Sequence, residues 1–224
     1  MSVAANLVEP GFLRIRALPG VWRPHSDAGM VARLVAEDGL APGADVLDVF
    51  TGSGVLAVAA ARLGARSVTA VDLSRRALLS ARLNAWHNGV SVRALRSDLF
   101  AALGDATFDL ILANPPYYPG ERRPRRGLQR AWHGGQRGRA LIDPLCAQAP
   151  LRLRPGGRLL LVHATFNGED ETLHALRAAG LRAQVVHRHR GPWGAVGRAR
   201  LGSLREFADD EEETIVICAT RDAP

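Results

Sequence analysis

Residues 114–117 read Asn-Pro-Pro-Tyr, directly after the apolar run Phe108–Ala113. A planar NH2 group, in an amide or on the edge of a base, is a poor nucleophile because its lone pair is delocalised. Reaction there requires both N–H bonds to be held so that the lone pair faces an electrophile. The side-chain oxygen of Asn114 and the carbonyl of Pro115 can each accept one of them. Pro115 and Pro116 stiffen the turn, and Tyr117 can pack on a flat acceptor. With a sulfonium as methyl donor no strong base is needed at the outset, because the nitrogen proton becomes acidic as the new bond forms.

A second constellation lies upstream. In LDVFTGSGVLA, Gly52 and Gly54 stand between an apolar run and an Ala-rich helix, where the backbone must turn sharply and can approach a ligand. Asp72 ends the next apolar run, 18 positions after Gly54, where a carboxylate can accept both hydroxyls of a ribose. Gly52-x-Gly54-x-x-Ala57 also satisfies the relaxed dinucleotide fingerprint, so the glycines leave NAD and S-adenosylmethionine both open. Asp48 and Asp98 end two further runs and, in a parallel sheet, open onto the same crevice. Three carboxylates suit a ligand carrying an ammonium and a sulfonium better than a pyrophosphate. Asp48 and Asp98 could alternatively serve only to cap turns.

The elements that must position these residues alternate between strand and helix after residue 43, which predicts an α/β fold. Strands are expected at Ala44–Phe50, Ser67–Val71, Ser91–Arg96, Phe108–Ala113, Arg158–His163 (after a Gly156-Gly157 turn), Leu181–His187 and Thr214–Ala219. Helices are expected at Val55–Leu63, after an N-cap at Ser74, within 138–153 with a break near Pro144, and at Glu169–Ala179. Residues 1–43 read as an extension with one amphipathic helix capped by Ser26, and 44–224 as the domain. The Gly- and Arg-rich stretch 188–208 reads as a surface loop.

At 224 residues, with 47% hydrophobic and 23% charged residues, the composition fits a globular domain. No run is apolar enough to span a membrane and no leader pattern is visible, so a cytoplasmic protein without membrane contact is expected. Cys146 and Cys218 show no metal-ligand spacing and read as core thiols; no metal site is expected. The 29 basic residues are all Arg, against 22 acidic ones, for a net charge of +7. Codon bias explains Arg in place of Lys but not its placement. Residues 121–139 hold seven Arg and one Glu, while the five acidic residues at 209–213 nearly cancel the second Arg-rich stretch. A basic loop after the catalytic tetrapeptide predicts salt-sensitive recognition of an acidic or RNA-associated macromolecule through Arg122, Arg123, Arg125 and Arg126.

Together these residues resemble the class I S-adenosylmethionine-dependent methyltransferases, and within them the HemK/PrmC-like glutamine N5-methyltransferases of translation release factors. The motifs that carry the resemblance are DVFTGSG, VDLS, SDLF and NPPY, with Trp22-Arg-Pro24-His-Ser-Asp27 and Ala131-Trp132-His-Gly134-Gly135-Gln-Arg-Gly138-Arg139. It implies a Rossmann-like, mostly parallel seven-stranded sheet with an antiparallel last strand and helices on both faces. It places S-adenosyl-L-methionine, whose product is S-adenosyl-L-homocysteine, on Trp22, Pro24, Asp27, Asp48, Phe50, Thr51, Gly52, Gly54, Asp72, Leu73, Asp98, Leu99 and Asn114. The acceptor falls to Asn114, Pro115, Pro116 and Tyr117.

Two departures stand out: Phe50 replaces a glycine common in relatives, and Trp22 replaces a tyrosine. Too few residues precede Asp48 for the helical domain of the longer bacterial enzymes, which implies the compact form that works with a small zinc-binding activator. The implied substrate is a glutamine side chain in a release factor. RNA or DNA methylation at an exocyclic amine is the second expectation, with the ribosome or RNA as partner, and a non-catalytic binding module the third. Gly134-Gly135-Gln136 spells the family's substrate tripeptide but reads as a turn, and His133 as a contact residue rather than a proton acceptor.

Overall fold

The computed structural model describes residues 13–23, 26–120, 128–194, 197–198 and 211–223. Seven strands form one sheet: β1 (Asp45–Val49), β2 (Ser67–Asp72), β3 (Arg93–Arg96), β4 (Phe108–Ala113), β5 (Leu153–Ala164), β6 (Arg182–Pro192) and β7 (Glu211–Thr220), in the order β3-β2-β1-β4-β5-β7-β6. The first five run parallel, and β7 is antiparallel to both β5 and β6. The helices are α1 (Ser26–Glu37), α2 (Val55–Arg62), α3 (Arg75–His87), α4 (Ile142–Gln148) and α5 (Glu169–Ala178).

Alternation along the strands decides which helices dock where. On β4, Leu110 and Leu112 join Val46 of β1 in an apolar cluster with Val31 and Val35 of α1 and Leu56 of α2. Ile111, facing the other way, joins Leu47, Leu159, Leu161 and Ile215 in a cluster with Ile142 and Leu145 of α4 and Leu176 of α5. Each fully buried Leu or Ile is worth about 1.5–3 kcal/mol over its exposed state, so both faces of the sheet require cover. The expected architecture, with the last strand antiparallel, is the one observed.

Because β1 pairs with β2 on one side and β4 on the other, the chain order reverses between β1 and β4. Helices leave to opposite faces there, which opens a crevice at the carboxyl ends of those strands. The residues after Val49 and after Ala113 therefore face each other across it.

Several boundaries differ from expectation. β5 begins at Leu153, before the two glycines, and a register shift between Phe108 and Leu110 absorbs the extra residues around Pro155. The segment Arg188–Pro192, expected as loop, continues β6 and pairs with Glu211–Ile215. Its charges are matched across the strands, Arg188 with Glu213 (3.4 Å) and Arg190 with Glu211 (2.9 Å), so opposed charges rather than apolar alternation hold this end of the hairpin. Of the rest of the expected loop, residues 195–196 and 199–208 lie outside the described residues. Pro144 does not break α4 but sits in its first turn, where the missing N–H costs no helical bond. Ser26 lies within α1 and its hydroxyl donates to Asp27 Oδ1 (3.3 Å) rather than forming a flanking cap.

Gly54, the residue before α2, has φ +85°, and a Cβ there would lie 2.7 Å from both Cα and Cβ of Ala81 on α3. The glycine thus sets the separation of α2 and α3. Gly54→Ala combines left-handed strain with a backbone clash, and we expect a loss of about 2–4 kcal/mol. Urea denaturation followed by circular dichroism checks this; an unchanged midpoint would contradict the packing described.

Candidate active site

The carboxyl ends of β1, β2 and β4 enclose a cavity of about 720 Å3, within the range of roughly 300–1,000 Å3 usual for small-molecule sites. Its first wall is the β1–α2 loop. Phe50 adopts φ +64°, a left-handed conformation that costs a non-glycine residue about 1–2 kcal/mol. That conformation is the physical reason a glycine is favoured at this position. Gly52 (φ +53°) turns the loop inward, and a Cβ there would meet only the Phe50 carbonyl oxygen, at an ordinary contact distance of 3.9 Å.

Asp48 lies under this loop, 1% exposed. Its Oδ2 accepts from the Thr51 hydroxyl (2.6 Å) and from the Ala57 N–H (3.0 Å), the latter in the first turn of α2. It borders the cavity but spends two hydrogen bonds holding loop and helix together, so the turn-capping alternative applies to it at least in part. Burial raises its carboxyl from 3.8 to about 7, opposed by those two hydrogen bonds.

Asp72 forms the second wall. Its Oδ2 accepts from Gly52 N (3.1 Å) and its Oδ1 from Ser74 N (2.8 Å), which ties the glycine loop to the start of α3. Burial again raises its carboxyl, while the two N–H donors and the charge of Arg130 lower it. Each oxygen keeps a lone pair for a further donor. Ser74 caps α3 as expected, accepting from Ala77 N (3.3 Å).

After β3, Ser97 and not Asp98 caps the turn, its hydroxyl accepting from Ala102 N (3.0 Å). The Asp98 carboxylate is exposed at the cavity rim and has no hydrogen-bond partner among the described residues. Leu99 beside it has φ +47°. Leu73 and Trp22 complete this end of the lining.

The third wall is Asn114–Tyr118. The half-buried Asn114 side chain lines the cavity and has no hydrogen-bond partner among the described residues, so its amide is available to a ligand. Tyr117 is only 4% exposed, and its hydroxyl donates to Asp27 Oδ2 (2.5 Å). Its ring stacks on Tyr118 with centroids 5.1 Å apart, and the Tyr118 hydroxyl donates to Glu212 Oε1 (2.7 Å). Burial and the adjoining carboxylates push both phenols upward, so both stay protonated donors.

The segment after this loop buttresses it. Tyr118 N donates to Trp132 O (2.9 Å) and Gly134 N to Tyr118 O (2.8 Å). Gly134 packs so closely that a Cβ would lie 2.7 Å from Pro116 O. Gln136 is exposed on the turn, and buried His133 accepts the Gly135 N–H (3.1 Å) through Nδ1, away from the cavity lining.

Of the predicted site residues, Trp22, Asp27, Asp48, Phe50, Thr51, Gly52, Asp72, Leu73, Asp98, Leu99, Asn114, Pro115, Pro116 and Tyr117 all border this one cavity. Gly54 does not: it serves helix packing, because its missing Cβ faces α3 rather than the crevice. Pro24 lies outside the described residues, as do Arg122, Arg123, Arg125 and Arg126. Arg139, counted with that basic loop, is 3% exposed and pairs with Asp143 (2.7 Å) and Glu171 (3.3 Å), so it is a buried strut. Ser97, Arg130, Trp132, His189 and Glu212 line the cavity without having been predicted as site residues. For Glu212 a signal existed: within a strand it must point opposite to Glu211 and Glu213.

The lining can hold a nucleoside bearing positive charge. Asp72 offers a ribose-sized pair of acceptors, Asp98 an uncommitted carboxylate, and Asn114 a free amide beside them. Among the described residues no group of three or more His, Cys, Asp or Glu could hold a metal ion, and no helix is long and apolar enough to cross a membrane.

Comparison with known proteins gives the family and the fold. The methyltransferase small domain family matches residues 13–188. The chain is 36% identical to the release factor glutamine methyltransferase of Gloeobacter violaceus, over 83% of the chain and 68% of that protein. It is 41% identical to the protein of the same name from Deinococcus radiodurans, over 62% of the chain, and spans about half of that relative's length (52%). The fold matches the Mtq2–Trm112 complex of E. cuniculi, described as methylating the eRF1 termination factor, with TM-score 0.65 and 22% identity over 91% of this chain and 99% of that one.

The buried carboxyl of Asp48 gives a pH test. With its pKa raised from 3.8 to about 7, the folded chain keeps a proton that the unfolded chain loses. This contribution to stability is complete below about pH 4 and disappears as pH rises through 7. Asn mimics the protonated form and keeps an acceptor for Thr51 and Ala57. The stability of Asp48→Asn relative to the parent should therefore improve between pH 5 and pH 8, measured as urea midpoints. A gap that does not change with pH would refute the assignment.

Proposed function

The chain belongs to the methyltransferase small domain family, and from that premise we propose that it transfers a methyl group from S-adenosyl-L-methionine to the side-chain amide of a glutamine in a translation release factor or a similar protein. The observation that carries the reading is the free Asn114 amide, placed at the switch point of the sheet in the same cavity as Asp72 and Asp98. When bound, the cofactor supplies an electrophilic methyl group on a sulfonium and leaves as S-adenosyl-L-homocysteine.

The protein's own groups bind and orient. Asp72 accepts the ribose hydroxyls while Gly52 N and Ser74 N hold its carboxylate in place. Phe50, Leu73, Leu99 and Trp22 supply apolar walls, and Asp27, Asp98 and the Asp48-braced loop supply negative potential for a cationic ligand. Asn114 Oδ1 and the Pro115 carbonyl accept the two N–H bonds of the glutamine amide. That alignment turns the nitrogen lone pair toward the methyl carbon. Tyr117, fixed by Asp27, closes the acceptor side. Because both nitrogen protons are already hydrogen-bonded to acceptors, the charge that develops on nitrogen is stabilised as it forms, and one of those protons is then lost to solvent to leave the neutral methylated amide.

Two observations favour a protein over a nucleic-acid acceptor. The Tyr117 and Tyr118 rings, which could have stacked on a base, are buried and packed near Phe166, with their hydroxyls committed to carboxylates. Several arginines of the basic stretches are also neutralised within the fold, including Arg137 on Glu171 (2.8 Å).

Purified protein given labelled cofactor and a release factor should label one glutamine, in a product resistant to ribonuclease. Adding a small zinc-binding partner tests for an activator in the same assay. Asn114→Ala should lower kcat by about 10²–10³ without lowering the melting temperature. Labelling that survives this substitution, or moves to RNA, would overturn the reading.

A further inference from the structure

Glu212 stands in a run of three glutamates, yet its environment is unlike that of its neighbours. Glu211 and Glu213 lie on the surface side of β7 and meet Arg190 and Arg188. Glu212 alternates to the opposite side and lines the cavity beside Tyr118. It accepts from the Tyr118 hydroxyl (2.7 Å) and from Gly194 N (3.3 Å), and no cation pairs with it among the described residues. The other charge acting on it is that of Asp27, which opposes its ionisation and is held by Tyr117. Two stacked tyrosines therefore hold two carboxylates in the lining of the cavity that Asn114 also borders.

We propose that Glu212 is a specificity-determining residue of the acceptor end, favouring protein chains that place an N–H donor or a cationic side chain beside the methylated glutamine. This rests on the methyltransferase reading above and names the acceptor class for the same site. The physical basis is desolvation: burial raises the carboxyl of Glu212, the Tyr118 and Gly194 donors offset this only in part, and a ligand cation or N–H would complete the compensation. A nucleic acid would bring phosphates toward the same carboxylates and meet repulsion instead.

The test uses two synthetic peptides of one sequence around a central glutamine, one carrying Arg and the other Glu at the adjacent position. The parent protein should favour the Arg peptide by roughly five- to tenfold in kcat/KM. Glu212→Gln removes the charge while its single oxygen can still accept the Gly194 N–H and its NH2 can donate to the Tyr118 hydroxyl oxygen, so it should bring that ratio close to one. Its affinity for S-adenosyl-L-homocysteine and its melting temperature should stay unchanged, as a merely structural role would not allow a selective effect.

Peptide affinity for protein loaded with S-adenosyl-L-homocysteine gives the same ratio without turnover. If the affinity preference appears but neither peptide is methylated, the selectivity stands and glutamine methylation fails. Equal affinity of the parent for both peptides, a preference unaltered in Glu212→Gln, or tighter binding of a single-stranded RNA oligonucleotide than of the Arg peptide would overturn the proposal.

Discussion

The site depends on one buried hydrogen bond, from the Asn167 side-chain amide to the Tyr117 carbonyl (2.7 Å). Asn167 follows β5 and Tyr117 follows β4, so this bond joins the ends of two neighbouring parallel strands just beyond the last ladder pairing. Arg139 grips the other side: its guanidinium donates to the carbonyls of Asn167 and Gly168 and to the Thr172 hydroxyl. Gly138 fits between these groups only because it has no Cβ, which would lie 2.2 Å from both the Tyr117 oxygen and the Asn167 nitrogen. A loop containing two prolines cannot make its own ladder, so its rigidity comes from these outside contacts. Everything asked of Asn114 in aligning an amide presupposes that this loop does not move.

Legibility in the sequence followed the range of the interaction. β4 was readable because six apolar residues end sharply at Asn114, and α3 because Ser74, the Ala and Leu spacing and Asn88-Gly89 punctuate it within one segment. The acceptor tetrapeptide and the carboxylates at strand ends were likewise local patterns placed by a predictable topology. Asp48 was only partly readable: its position at the end of β1 was clear, but its commitment to Thr51 and Ala57 follows from the loop geometry. The packing role of Gly54 is not legible, because a glycine required for close helix packing looks the same in sequence as one required for close ligand approach. Glu212 contacts a residue 94 positions away, and nothing local identifies such a partner. The ends of β6 and β7 were missed for the same reason, since their charged residues become strand-like only once opposite charges face each other.

The distribution of charge also has a structure that the total of +7 conceals. Among the described residues Arg76 and Arg130 border the cavity and Arg137, Arg188 and Arg190 are paired away from it, whereas five acidic residues, Asp27, Asp48, Asp72, Asp98 and Glu212, line it. The two sets act over different ranges. Exposed arginines are screened within about 8–10 Å at physiological salt and can only orient or attract a macromolecule. A carboxylate in a partly desolvated wall acts at contact and discriminates by hydrogen bonding.

These ranges make a basic exterior compatible with an acidic interior. An acidic surface on a large substrate can be drawn toward the protein as a whole, while the few atoms that enter the cavity must be cationic or rich in N–H donors. A sulfonium-bearing cofactor meets that condition, and so does the amide of a glutamine held by its own backbone. On the proposal made for Glu212, acceptor choice rests on the half-buried carboxylates of Glu212 and Asp27, held by the paired tyrosines, and not on the arginines that dominate the composition.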